Sequence, residues 1–90
     1  MKGLSNLKNL KELYVCENEI TDIRGIENVP NLEKLSLRNN KIKVFMSPFP
    51  FMPSLKHLNL RENQIASMNE IRKIDEHIKS INFMANPLAD

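Results

Sequence analysis

Cys16 and His57 are the two side chains in this sequence that could pair as a catalytic nucleophile and its base. Such a pair works only when the thiol and the imidazole lie within about 3 Å of each other. Other chemical sites can be judged from spacing alone. The sequence contains no Cys-x-x-Cys or His-x-x-His pair for a tetrahedral metal site. Its two glycines, Gly3 and Gly25, cannot form a phosphate-binding loop.

The elements that carry these side chains follow from an internal repeat. One segment occurs four times: LKELYVCENEI from Leu10, LEKLSLRNNKI from Leu32, LKHLNLRENQI from Leu55 and IKSINFMANPL from Ile78. The starts are separated by 22, 23 and 23 residues. Each copy fits the pattern L-x-x-L-x-L-x-x-N-x-L, with isoleucine, valine or phenylalanine at some leucine positions.

The alternation within each copy, as in Leu13-Tyr14-Val15, is typical of a short strand with one buried face. The repeat therefore predicts an α/β solenoid, with a parallel sheet on the concave face and helical or irregular returns on the convex face. In this arrangement Cys16 and His57 are two strands and four residues apart, or roughly 16 Å. We therefore expect no enzyme activity, no metal site and no cofactor.

The asparagines Asn18, Asn40, Asn63 and Asn86 fall where the chain leaves each strand. A short amide side chain can satisfy backbone groups that a turn leaves unpaired. These asparagines are therefore predicted to form a structural ladder along the solenoid.

The returns differ from one another in sequence. In the first, apolar residues at every third position predict a tight helical segment: Ile20, Ile23, Ile26 and Val29. In the second, Pro48, Pro50 and Pro53 predict an extended segment. Its packing residues are Phe45, Phe49, Phe51 and Met52.

The third return has the most helical pattern. Its isoleucines are predicted to face inward: Ile71, Ile74 and Ile78. Its charged residues are predicted to face outward: Glu70, Arg72, Lys73, Asp75 and Glu76. Asn69 is the predicted N-cap.

The repeat boundaries predict a single domain over 1–90, with 1–9 as the tail of a preceding repeat, three full repeats at 10–31, 32–54 and 55–77, and an incomplete repeat at 78–90. Solenoids need terminal units with a polar outer face. Neither end of this sequence has one, so we expect a fragment of a longer protein, with ends completed by a partner as the alternative. We also expect the isolated chain to be poorly soluble or oligomeric.

Composition restricts the partners and the compartment. A net charge of +2 gives no reason to expect nucleic acid as a ligand. No run approaches the ~20 apolar residues that cross a bilayer, and the first residues lack a signal-peptide core. One cysteine and no Asn-x-Ser/Thr site favour an intracellular, reducing compartment.

The concave face is the surface that a solenoid uses for binding. The outward rows are predicted as Glu12, Lys34, His57 and Ser80; Tyr14, Ser36, Asn59 and Asn82; Cys16, Arg38, Arg61 and Met84; and Glu17, Asn39, Glu62 and Ala85. Arg38 and Arg61 would lie side by side, with Glu62 as a compensating acid. Since tyrosine and arginine dominate interface hot spots, Tyr14, Arg38 and Arg61 are the leading candidates for protein contacts. The further candidates are Glu12, Lys34, His57 and Met84.

The form I-x-x-I-x-G-I-x-x-V-P-x-L-x-x-L, from Ile20 to Leu35, resembles the 22-residue subclass of leucine-rich repeats. A phosphatase-1 regulator, axonemal dynein light chain one and the A-prime protein of a spliceosomal particle share this subclass. Residues 55–90 are most similar to the leucine-rich-repeat subunit of ciliary radial spokes. The proline-rich second return and the lack of a capping segment after Asn86-Pro87 depart from that pattern.

This resemblance implies a non-catalytic scaffold subunit of a ciliary or flagellar axonemal complex, located in the cytoplasm. It would bind other protein subunits through the concave face and the uncapped ends, with no small-molecule substrate. The alternatives are a dynein-associated light chain, or a regulatory subunit that binds a phosphatase or another enzyme. A ribonucleoprotein subunit is disfavoured by the weak net charge.

Overall fold

The computed structural model describes residues 9–23, 29–45, 52–74 and 78–88. These contain four short strands, β1 (Glu12–Tyr14), β2 (Lys34–Ser36), β3 (His57–Asn59) and β4 (Ser80–Asn82), and one helix, α1 (Met68–Ile71). The strands form one parallel sheet in the order β1-β2-β3-β4. The solenoid predicted from the repeat is confirmed.

The strand register follows the repeat without a slip. Leu13 lies opposite Leu35, Leu35 opposite Leu58, and Leu58 opposite Ile81. The pairing continues beyond the assigned strands, because the N–H of Leu37 donates to the carbonyl of Asn59 at 2.8 Å. Equivalent side chains of successive repeats are therefore stacked in straight rows.

The core is built from the apolar positions of the repeat. Leu37 and Leu60 are completely buried, as expected for the apolar positions of strands with one buried face. Completely buried residues also come from the turns and returns: Ile42, Leu55 and Ile65. Leu35 and Leu58 are also buried, whereas the corresponding residues of the outer repeats, Leu13 and Ile81, are only partly buried and pack against this cluster.

The predicted asparagine ladder is confirmed for Asn40, Asn63 and Asn86, whereas the side chain of Asn18 donates to the carbonyl of Cys16 within its own repeat. The Nδ2 group of Asn40 donates to the carbonyls of Val15 at 2.8 Å and Leu37 at 2.9 Å, and its Oδ1 accepts from the N–H of Ile20 at 3.2 Å. Asn63 and Asn86 make the same hydrogen bonds one and two repeats further along the chain. Each of these side chains joins its own repeat to the preceding one, as the turns of parallel strands require.

The returns lie partly within the described residues. Ile23 and Val29 of the first return are buried, as are Phe45 and Met52 of the second. The expected helical turn of the first return, with Ile26, lies largely outside the described residues. So do Pro48, Phe49, Pro50 and Phe51 of the second, Asp75 and Glu76 of the third, and residues 1–8 of the expected preceding repeat.

In the third return the predicted inward face is confirmed, because Ile74 and Ile78 are buried and Ile71 packs against the core. The predicted N-cap was wrong. Ser67 caps α1, with extended backbone and a side-chain oxygen that accepts from the N–H of Asn69 at 3.1 Å. Asn69 is one residue inside the helix start, and its Oδ1 accepts instead from Arg72 at 2.8 Å.

Glu70 also departs from its predicted outward position. Its carboxylate accepts from the N–H of Phe45 at 2.7 Å and from the ammonium of Lys73 at 2.9 Å. These bonds lower the pKa of Glu70, with the bond from the Phe45 N–H as the main cause and the bond from Lys73 second. Lys73 also donates to the carbonyl of Phe45 at 3.1 Å, so side chains of the third return are hydrogen-bonded to the backbone of the second.

Candidate protein-binding surface on the concave face

Two rows of the predicted surface lie within the strands themselves. The first row pairs Glu12 with Lys34, Lys34 with His57, and His57 with Ser80. The second row is Tyr14, Ser36, Asn59 and Asn82. The structure therefore brings four of the candidate binding residues onto one sheet face in the predicted order: Glu12, Tyr14, Lys34 and His57.

One member of these rows differs from the expectation of an open polar face. Ser36 is buried, because Tyr14 and Asn59 flank it in the sheet and the Cys16 sulfur lies 3.3 Å from its hydroxyl oxygen. The small side chain leaves a shallow trough of about 230 Å³ over the middle of the sheet. Its polar lining includes Lys34, His57, Ser80 and Asn82.

Two further rows follow the strands. Backbone hydrogen bonds keep them aligned: the N–H of Asn39 donates to the carbonyl of Arg61 at 2.8 Å, and the N–H of Glu62 to that of Met84 at 3.1 Å. The eighth residue of each copy of the repeat has a left-handed backbone conformation. The φ angle is 59° at Glu17, 57° at Asn39, 61° at Glu62 and 57° at Ala85. A turn at this point was predicted, but its left-handed residue was not, because asparagine is the only one of these residue types that is enriched at positive φ.

The side chains of Asn59 and Asn82 hold the same turns. The Oδ1 of Asn59 accepts from the N–H of Arg61 at 3.0 Å, and the Oδ1 of Asn82 accepts from the N–H of Met84 at 3.1 Å. Such local side-chain bonds to the backbone are typical of asparagine in turns. These two side chains therefore position the backbone of Arg61 and Met84. This role of Asn59 and Asn82 was not predicted from the sequence.

Arg38 and Arg61 share Glu62 as their counterion. Arg38 donates to Glu62 Oε1 from Nε at 3.2 Å and from Nη2 at 3.0 Å, whereas the Nε of Arg61 lies 3.6 Å from the same oxygen. The compensation by Glu62 predicted from the rows is confirmed. About half of each arginine side chain remains exposed, so the pairs contribute only ~0.2–1 kcal/mol each to stability.

Tyr14 is the exposed aromatic of the face, with 62% of its surface accessible. Its hydroxyl donates to Glu12 Oε1 at 2.8 Å. This hydrogen bond is the main reason that the pKa of Tyr14 is raised, with desolvation and the negative charge of Glu12 adding to it. Glu12 therefore has Lys34 as its neighbour in the sheet and the Tyr14 hydroxyl as its hydrogen-bond donor.

The remaining candidate residues are placed as follows. Met84 lies at the end of the third row and is 65% exposed. Cys16 contacts Ser36, and His57 lies two strands away in β3. Within residues 9–23, 29–45, 52–74 and 78–88, no three His, Cys, Asp or Glu side chains lie close enough to hold a metal ion.

Comparison with protein families gives two overlapping matches to the family described as Leucine Rich repeats (2 copies), over residues 8–50 and 30–76. Leucine-rich repeat-containing protein 23 of Bos taurus is 34% identical over 80 residues, which are 87% of this chain and 23% of that protein.

The part of the chain that the structure describes has no helix of the length and hydrophobicity needed to span a bilayer.

Two further relatives have different names. The homolog of the protein phosphatase 1 regulatory inhibitor subunit from Arabidopsis thaliana is 37% identical over 77% of this chain. The acidic leucine-rich nuclear phosphoprotein 32 family member A of Drosophila melanogaster is 30% identical over 74% of it. The chain matches about a quarter of the length of each of these relatives.

Proposed function

Because the chain belongs to the leucine-rich-repeat family, whose members are scaffolds for interactions between proteins, we propose that it is a non-catalytic scaffold subunit that binds another protein through its concave face. The observation that carries this proposal is the in-register sheet with the aligned segments that follow its strands, in which Tyr14, Arg38, Arg61 and Met84 are exposed. Exposed aromatic, arginine and methionine side chains are enriched in protein interfaces.

The finer proposal is a structural subunit of a ciliary or flagellar axonemal complex, the radial spoke, in the cytoplasm. It is supported by the similarity of residues 55–90 to the leucine-rich-repeat subunit of radial spokes, and a dynein-associated light chain is the next candidate. A regulatory subunit that binds a phosphatase is the alternative from a different class. The 37% identity to a phosphatase 1 regulatory inhibitor subunit favours that alternative.

Fractionation of ciliated cells separates these possibilities. An axonemal scaffold is expected to remain with axonemes after detergent extraction and to be released by high salt together with spoke components. A dynein light chain is expected to leave with the dynein fraction instead. Recovery in the detergent-soluble fraction, with phosphatase bound, would contradict the axonemal proposal and support the regulatory one.

The binding face can be tested by charge reversal. Arg38→Glu and Arg61→Glu should each weaken binding of the partner by at least ~1 kcal/mol, because both arginines are exposed on the two central repeats. Binding should also weaken as salt is raised, since exposed charges are screened. Titration calorimetry or surface plasmon resonance measures both effects.

The matched control is Lys79→Glu, which reverses an exposed charge outside the concave rows. Lys73 is not suitable for this purpose, because its ammonium bonds Glu70 and Phe45 and its loss would perturb the fold. Each variant is first checked for an unchanged melting curve. If Lys79→Glu abolishes binding while both arginine variants bind normally, the partner occupies another face.

A further inference from the structure

The charges of the concave face are not mixed at random but change from repeat to repeat. The first repeat presents two carboxylates, Glu12 and Glu17, and the second presents two cations, Lys34 and Arg38. In the third repeat Glu62 lies beside Arg61. The fourth repeat presents only uncharged side chains: Ser80, Asn82, the exposed Met84 and Ala85. The face is therefore acidic at one end, mainly basic in the middle and uncharged at the other end, where Met84 offers a large exposed apolar side chain.

Among the cations of the described concave face, Lys34, Arg38 and Arg61, the Arg61 side chain has the most N–H donors without a hydrogen-bond acceptor. Arg38 donates two hydrogen bonds to Glu62 Oε1, whereas Arg61 approaches that oxygen at 3.6 Å, which is beyond hydrogen-bonding distance. One carboxylate oxygen thus serves two guanidinium groups. A second carboxylate, supplied by a partner, would complete the arrangement with a charge-assisted bond to Arg61.

The spacing of these groups fits an extended chain that crosses the strands. Neighbouring strands are ~4.8 Å apart, so the line from Glu17 to Met84 covers ~14 Å. In an extended segment, side chains that face the same way are ~6.6 Å apart. Three alternate side chains of such a segment would lie at ~0, ~7 and ~13 Å, which are opposite β1, between β2 and β3, and close to β4.

We infer that the concave face binds an extended protein segment with the side-chain order basic-x-acidic-x-apolar. The basic side chain faces Glu17, the acidic one contacts Arg61, and the apolar one packs on Met84. This inference rests on the proposed function, because it specifies the partner of the same face. The order of the charges along the segment, rather than their sum, determines binding.

The first test compares two peptides of identical composition. One carries the core Lys-Ser-Asp-Ser-Leu, and the other has lysine and aspartate exchanged, giving Asp-Ser-Lys-Ser-Leu. NMR titration of the chain should give at least about fivefold weaker binding for the exchanged peptide, since both charges then face like charges. Equal affinities for the two peptides would overturn the inference.

The second test uses Glu62 as an internal competitor. In the Glu62→Gln variant both guanidinium groups lose their counterion, so the Lys-Ser-Asp-Ser-Leu peptide should bind about threefold or more tightly. Arg61→Gln should weaken the same peptide, while Lys79→Gln should leave its affinity unchanged. Weaker binding to the Glu62→Gln variant would mean that the ligand contacts Glu62 through a cation, against the inference.

Failure of this inference differs from failure of the proposed function. If Arg38→Glu and Arg61→Glu weaken binding of the native partner while the two peptides bind equally, the face binds protein but not by this order of charges. If neither arginine variant affects the native partner, the concave face is not the binding site and both proposals fail.

Discussion

Replacing Asn63 by alanine should destabilise the protein far more than the same replacement of Asn18, although both occupy the same position of the repeat. Asn63 is buried, and its Nδ2 donates to the carbonyls of Leu37 and Leu60, both at 2.9 Å. Its Oδ1 accepts from the N–H of Ile42 at 3.1 Å. Asn18 is exposed and donates to the carbonyl of Cys16 at 2.9 Å.

The size of the effect follows from these bonds. Loss of the two short bonds from Nδ2 costs about 1 kcal/mol each, and a buried N–H that loses its acceptor costs about 1–3 kcal/mol. Ile42 is completely buried, so water cannot replace the missing acceptor. Asn63→Ala should therefore lower the free energy of unfolding by about 3–5 kcal/mol, and Asn18→Ala by less than about 1 kcal/mol.

Urea denaturation followed by circular dichroism measures the difference between the two variants. Amide hydrogen exchange at Ile42 gives a local readout, and it should accelerate in Asn63→Ala but not in Asn18→Ala. Similar losses in the two variants, or a loss below about 1 kcal/mol for Asn63→Ala, would show that the ladder does not stabilise the solenoid through its hydrogen bonds.

Two other predictions concern the core and the returns. Leu37→Ala or Leu60→Ala should each cost ~2–5 kcal/mol in denaturation experiments, because both side chains are completely buried; a loss under ~1 kcal/mol would contradict the strand register. The hydrogen bond from the Phe45 N–H lowers the folded-state pKa of Glu70. The contribution of the Glu70 carboxylate to stability should therefore be complete above the ordinary glutamate pKa of about 4.3 and disappear as pH falls through the lowered pKa. Stability measured against pH should show this loss in the native chain and not in Glu70→Gln.

The repeat in the sequence was sufficient to predict the sheet. A constant period places equivalent residues side by side, so the parallel register and the burial of Leu37 and Leu60 could be derived without coordinates. The ladder of Asn40, Asn63 and Asn86 followed from the same period. These features depend on local geometry that is the same in every repeat.

The binding face was predictable in its rows but not in its contacts. The order of Glu12, Lys34 and His57 follows from the register, whereas the capture of Glu12 by the Tyr14 hydroxyl depends on side-chain conformation. The burial of Ser36 depends on the size of its neighbours on both adjacent strands. Sequence spacing fixes which residues are neighbours, and packing decides which of them remain accessible.

The sequence by itself determined the solenoid, its register and its buried leucines, because these depend on a period that every repeat shares. Only the tertiary structure decided that Ser67 rather than Asn69 caps α1, and that Glu70 turns inward to the backbone of Phe45. It also decided that one oxygen of Glu62 serves both Arg38 and Arg61. These contacts depend on the conformation of a turn or on side chains from two different repeats, and no periodic pattern specifies how such groups meet.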